Sequence, residues 1–257
     1  MKKIYQLNHE NSPAPTANSV YIFEAFSNMD YSYVRYQLEE VKLRISQMAD
    51  SCGRKSQEIK LAAVSKTFPA EAVLAAYEAG HRIFAENRVQ ELAEKHSALP
   101  PGIEWHLIGH LQSNKASKAA AISDYIHSVD SDALLDRIDR ASSENGKKLN
   151  ILLEVNISGE DSKFGLDETS AMKCAEKACS LKNIQFSGLM TMAPYGAEEC
   201  ELRRIFSSLR NLRDRIENSL RIRLPELSMG MSGDYEAAIR EGATILRIGT
   251  AIFGKRT

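Results

Sequence analysis

The chain carries almost no net charge: 33 Lys and Arg stand against 34 Asp and Glu, a balance of −1. That removes the electrostatic basis for a nucleic-acid or anionic-membrane partner. The basic clusters Arg203-Arg204 and Lys147-Lys148 fall on helices or turns and read as solvated faces. Cysteine is scarce, and Cys52, Cys174, Cys179 and Cys200 show no Cys-x-x-Cys spacing. A fold of this size needs no disulfides. No apolar stretch is long enough to cross a membrane, and Met1-Lys2-Lys3 leads into no signal-peptide core. The expected location is therefore cytoplasmic. Ser65, Ser128 and Ser232 lack the full nucleophile-elbow pattern Gly-x-Ser-x-Gly, which argues against a serine hydrolase. His106 and His110 stand four apart, but Leu107 occupies the glutamate position of a zinc-protease motif and no third ligand follows at a recognisable spacing. No metal is expected.

Lys66 is the residue that stands out. It ends the apolar run Leu61-Ala-Ala-Val-Ser65 and is followed by Thr67-Phe68-Pro69. The run reads as a short buried strand, and Pro69 suits the first turn of a following helix. An amine at such a strand end is poorly solvated, so part of it stays neutral and nucleophilic, as Schiff-base chemistry requires. A second signal lies near the other end, where five of the fourteen glycines fall between 230 and 254. Gly230 and Gly233 flank Ser232 just before the helical stretch Tyr235–Glu241, and Gly249-Thr250 follows the next strand. Exposed N–H groups and hydroxyls at helix starts form phosphate cradles.

From residue 59 the sequence alternates short apolar runs with helical stretches. Strands are expected at Leu61–Ser65, Arg82–Ala85, Glu104–Leu107, Tyr125–Ser128, Leu149–Asn156, Ile184–Met190, Glu226–Ser228 and Thr244–Arg247. Helices are expected between them, including Glu71–Ala79, Ala133–Asn145, Asp167–Ser180 and Glu198–Leu220, with Gly80, Gly146 and Gly242 at C-caps. Eight β-α units in 257 residues predict an α/β fold, a single (β/α)8 TIM-type barrel. A doubly wound open sheet normally uses fewer strands. Before the barrel, Val34, Leu38, Val41, Ile45 and Met48 form the apolar stripe of an N-terminal helix closed by Gly53. Residues 1–28 hold two of the seven prolines and no sustained period. They read as a disordered extension, with Met29 an alternative start and 29–257 the single barrel domain.

A barrel places its chemistry at the carboxyl ends of the strands. Those positions hold Lys66, Glu86-Asn87, His106, His110, His127-Ser128, Asn156, Met190-Thr191, Ser232, Arg247 and Gly249-Thr250. A lysine on strand one that reaches across the mouth toward phosphate groups after strands seven and eight suits pyridoxal 5′-phosphate (PLP). Arg247 stays charged, so a ring nitrogen beside it would resist protonation and the ring would be a poor electron sink. Trp105 and His106 are expected to pack at the mouth near the ring. Met190, Met192, Met229 and Met231 are expected to pack in the core or mouth, and Lys163 is a loop lysine or a second aldehyde-capturing amine.

Several ordered motifs carry a resemblance. They are Ala63-Val-Ser-Lys-Thr67, Phe84-Ala-Glu-Asn-Arg-Val-Gln-Glu91, Trp105-His-Leu-Ile-Gly-His-Leu-Gln-Ser-Asn-Lys115, Asn156-Ile-Ser-Gly-Glu160 with Lys163-Phe-Gly165, Gly188-Leu-Met190, Ser228-Met-Gly-Met-Ser232 and Arg247-Ile-Gly-Thr-Ala-Ile-Phe-Gly254. From Tyr31 to the C-terminus the chain resembles the YggS/PROSC family of PLP homeostasis proteins. The resemblance implies a barrel like the N-terminal domain of alanine racemase, with PLP as an aldimine on Lys66. It also implies phosphate contacts from Ser232, Gly249 and Thr250, Arg247 near the pyridine nitrogen and Asn87 near the ring hydroxyl. The segment before Tyr31 lies outside the pattern, and the longer basic tail of some members is missing after Thr257.

Two functional classes follow. One is a monomeric, non-enzymatic PLP carrier that stores, buffers or delivers the cofactor, with transient contact to PLP-dependent apoenzymes. The other is a small amino-acid racemase-like enzyme. Alanine racemases take their second base from a partner subunit's tyrosine and an added β domain. With Gly254 so close to Thr257, no such domain is expected, which favours the carrier. A phosphosugar aldolase using Lys66 fits the barrel but leaves Arg247 unexplained.

Overall fold

Strands β4 (Tyr125–Val129), β7 (Glu226–Ser228) and β8 (Ile245–Ile248) are buried at every residue. Parallel strands covered on both faces require this. The computed structural model describes residues 30–160 and 164–255. Within Tyr31–Thr257 the remaining strands are β1 (Lys60–Val64), β2 (Ile83–Glu86), β3 (Glu104–Leu107), β5 (Leu149–Glu154) and β6 (Ile184–Met190). All neighbours pair in parallel, and β1 closes on β8 through Leu61↔Leu246 and Ala63↔Ile248. The result is a closed eight-stranded barrel, which excludes the open sheet. Among the described residues no helix is long and apolar enough to cross a membrane.

Helices fill the connections: α1 (Ser32–Ser51) before the barrel, then α2 (Ala70–Glu78), α3 (Val89–Ala98), α4 (Ala116–Ile122), α5 (Asp132–Glu144), α6 (Glu168–Ser180), α7 (Glu199–Leu220), α8 (Tyr235–Arg240) and α9 (Thr250–Phe253). The stripe on α1 buries Val34, Leu38, Val41 and Ile45, with Met48 packed at its edge. Pro69 caps α2 from just outside its first turn. Gly80, Gly146 and Gly242 follow helices with φ of 85°, 62° and 95°, the left-handed C-cap conformation that glycine adopts without penalty.

Strand alternation divides the core into two layers. Leu61, Ala63, Trp105, Leu107, Ile126, Leu246 and Ile248 face outward into the large cluster beneath the helices. Inside the barrel the apolar cluster is small: Ala62, Val64, Ala85, Leu152, Met190 and Ile245. The rest of the interior is polar, with His106, His127, Ser228 and Arg247 buried on alternate positions. Strand β5 ends at Glu154, short of the expected Asn156. There the Asn156 side chain accepts from the Gly159 N–H and donates to the Glu160 carbonyl, which turns the chain into a loop. The expectations for residues 1–28, Met29 and Lys163 lie outside the described residues.

Candidate functional site

The carboxyl ends of the strands surround a cavity of about 940 Å³. Lys66, Asn87, Ser232, Arg247, Gly249 and Thr250 all line it. Because β1 pairs with β8, Lys66 and Gly249 rise side by side rather than across the mouth. A Cβ on Gly249 would lie 2.9 Å from the Val64 carbonyl oxygen, so only glycine lets these strand ends approach so closely.

Lys66 is half-buried on a tight turn in which the Phe68 N–H donates to the Ser65 carbonyl at 3.0 Å. Thr67 in this turn has φ of 70°, a left-handed conformation costing a β-branched residue about 1–2 kcal/mol. Its N–H donates to Glu91 Oε2 at 2.9 Å, which helps hold the turn. Beneath it, buried Lys95 Nζ donates to the Ser65 carbonyl at 2.8 Å and to Glu86 Oε1 at 2.5 Å. Ser65 Oγ donates to the same carboxylate oxygen at 2.6 Å. Burial pushes the Glu86 carboxyl up from its ordinary value, and Lys95 beside it pulls the other way.

Asn87 follows Glu86, and Gly109 packs on its backbone so tightly that a Cβ would lie 2.3 Å from the Asn87 carbonyl oxygen. On the other side, the Ala251 N–H donates to Ser232 Oγ at 3.4 Å, tying the loop after β7 to α9. Asp234 turns its carboxylate back onto the Met231 N–H at 2.5 Å, so it caps its own loop.

Arg247 is buried, and its bonds go to neutral acceptors instead of an acid. Nη1 donates to Ser228 Oγ at 2.6 Å and Nη2 to the Thr191 carbonyl at 2.9 Å. Burial lowers its pKa to about 10, against the pull of Asp234 and Glu154. It remains cationic at neutral pH.

Sequence reasoning missed Glu154. It lines the cavity at the end of β5 and is 3% exposed. Burial and the nearby Asp130 push its carboxyl up to about 7, with Arg247 opposing. His110 reaches the cavity with a different role from metal ligation: its Nδ1 lies 3.2 Å from Asp130 Oδ2, and its ring stacks on Phe164 at 4.0 Å. Met192 and Met231 line the cavity, whereas Met190 and Met229 are in the core.

Two expected mouth residues lie elsewhere. Trp105 faces outward against Phe84, with ring centroids 6.0 Å apart. His106 points into the barrel interior, away from the mouth. Its Nε2 lies 2.8 Å from Glu104 Oε1 and its Nδ1 2.9 Å from His127 Nε2, and His127 Nδ1 lies 2.9 Å from Ser228 Oγ. Strand phase decides both positions, since Trp105 and His106 are adjacent and must face opposite sides.

Comparison with known proteins matches residues 37–257 to the alanine racemase N-terminal domain family. A pyridoxal phosphate homeostasis protein of Aquifex aeolicus is 40% identical over 221 residues, covering 86% of this chain and 97% of that protein. The solved structure of PipY from Synechococcus elongatus PCC7942, with PLP bound, superposes with a TM-score of 0.74 at 40% identity, covering 82% of this chain and 100% of that one. Alanine racemase of Clostridium difficile shares the fold at a TM-score of 0.69 and 14% identity, over 87% of this chain and 56% of its own. The chain belongs to the alanine racemase N-terminal domain family.

Proposed function

We propose that the cavity over Lys66 holds PLP, and that the protein stores, buffers or delivers this cofactor in the cytoplasm as a monomer. The carrying observation is that one cavity gathers a lysine amine, a serine–glycine–threonine donor set and a cationic arginine that, among the described residues, hydrogen-bonds neutral acceptors. That donor set fits the ligand group by group. Ser232 and the N–H groups of Gly249 and Thr250 would hold the phosphate. Asn87 would face the ring hydroxyl, Arg247 the pyridine nitrogen, and Lys66 would supply the amine. When bound, PLP supplies an aldehyde for amines and a ring that accepts electrons from an attached substrate. Arg247 works against the second capacity, because a fixed cation disfavours a proton on a neighbouring ring nitrogen. The relatives' naming as homeostasis proteins supports the carrier reading.

A second reading, a small racemase-like enzyme, is favoured by one observation: Glu154 is a cavity carboxyl whose pKa near 7 lets it hold or give up a proton. The experiment that separates the two mixes the PLP-loaded protein with a PLP-dependent apoenzyme. The carrier reading expects restored apoenzyme activity and no more than trace exchange of the alanine α-proton in deuterated water. Rapid exchange that is lost in Glu154→Gln would place the enzyme reading first.

A further inference from the structure

The groups assigned to the cofactor occupy one half of the cavity. Lys66 and Asn87 follow β1 and β2, Ser232 follows β7, and Arg247, Gly249 and Thr250 lie on or after β8. In the closed ring these four strands are consecutive. The opposite half, from β3 to β6, is lined by Ile108, His110, Glu154, Phe164, Met192 and Tyr195 and holds none of those groups. At about 940 Å³ the cavity lies near the upper end of the range for small-molecule sites. That is more room than one pyridine ring and its phosphate arm fill.

Glu154 is the exceptional residue of this second half. It lines the cavity and is 3% exposed, and among the described residues its carboxyl has no hydrogen-bond or ion-pair partner. A buried acid is normally paired, because an unpartnered carboxylate is poorly solvated there. A cation set beside Glu154 would remove that penalty. The wall around it is apolar. Ile108 and Met192 pack on the small inner cluster with Met190, which stands opposite Glu154 in the β5–β6 register. Phe164 and Tyr195 are exposed at the rim. No Lys or Arg stands among the described lining residues of this half, and His110 already lies 3.2 Å from Asp130. An ammonium therefore finds a partner here, and a carboxylate does not.

We infer that the β3–β6 half of the cavity is a subsite for a small primary ammonium carrying an apolar chain. Glu154 anchors the charge, and Ile108 and Met192 form the surface on which the chain lies. Amines without a carboxylate are favoured over amino acids, since nothing on this wall receives the second charge. The role is one of binding, with no bond made or broken. That such an amine would sit next to a bound aldehyde rests on the PLP reading above, but the subsite itself does not.

The charged groups around Glu154 are Asp130 after β4, with His110 beside it, and Arg247 on β8, which Asp234 faces in turn. Asp130 and burial hold the Glu154 carboxyl up at about 7. An alkylammonium stays protonated well above that, as a lysine does. Its affinity should therefore rise as pH passes through about 7 and level off above, where Glu154 is ionised.

The test is titration of the PLP-free protein with n-butylamine, followed by calorimetry and by carbon-13 NMR of the methionine methyl groups. Binding should shift the Met192 methyl signal more than that of Met231, which lines the other half. At pH 8, n-butanol and butyrate should each bind about tenfold more weakly or worse, the loss expected for one charged hydrogen bond. Methylamine should also bind more weakly, because it has no chain to bury. Glu154→Gln should weaken n-butylamine by about tenfold or more and remove the rise with pH, while leaving n-butanol binding as in the parent, which also shows that the variant is folded. Equal binding of n-butylamine and n-butanol, or n-butylamine binding unchanged in Glu154→Gln, overturns the ammonium anchor. Methylamine binding as tightly as n-butylamine overturns the apolar wall, and a shift at Met231 without one at Met192 puts the ligand on the wrong half. Uptake of PLP without binding of n-butylamine defeats the subsite alone, whereas binding of n-butylamine without uptake of PLP defeats the functional reading alone.

Discussion

Lys95 Nζ lies 2.5 Å from Glu86 Oε1 and 2.8 Å from the Ser65 carbonyl, so a buried ion pair braces the residue immediately before Lys66. Lys95→Met leaves the Glu86 carboxylate buried without its counter-charge. Removing one partner of such a pair costs about 3–5 kcal/mol. Urea unfolding at neutral pH should show a loss of that size. Adding Glu86→Gln to Lys95→Met should recover much of it, because the uncompensated charge is gone. A Lys95→Met protein as stable as the parent would mean the pair braces nothing.

Glu154 gives the PLP-free protein a pH dependence of defined sign. Its carboxyl is raised from the ordinary 4.5 to about 7. Across that window the folded state keeps a proton that the unfolded state has lost, so stability falls as pH rises. The full difference corresponds to about 3 kcal/mol, reached just above pH 7. Glu154→Gln should flatten this part of the profile and stabilise the protein at pH 8. Thermal melts of both proteins across the window measure it, and parallel profiles would contradict the assignment.

The strands were legible because they are short runs rich in apolar residues between helical stretches, as with Ile151, Leu152 and Leu153 in β5. Their order in the chain is their order in the barrel, so the strand ends could be read as a ring of site residues. Lys66, Asn87, Arg247 and Thr250 reached the cavity for that reason. Glu154 escaped because it closes an apolar run and reads as one more strand residue. Lys95 left a fainter trace. It follows Val89 and Leu92 at three-residue steps, an apolar-face position where a lysine needs a buried partner. The interior hydrogen bonds among His106, His127 and Ser228 were not legible at all. His127 and Ser228 stand 101 residues apart and meet only when the barrel closes.

Phosphate and ring contacts separate by mutation. Ser232→Ala and Thr250→Ala should each weaken PLP binding by about 1.5–3 kcal/mol, one hydrogen bond to a charged group. Binding of unphosphorylated pyridoxal should change little. Titrations of both ligands by absorbance decide this, and equal losses for the two would remove the phosphate role.

The most direct measurement is borohydride reduction of the PLP-loaded protein followed by peptide mapping. The account predicts a visible band that reduction removes, and a pyridoxyl mass on the peptide containing Lys66. Lys66→Ala should lose the band. A label on Lys163 or Lys255 with Lys66 unmodified would contradict the claim that Lys66 is the cavity's reactive amine.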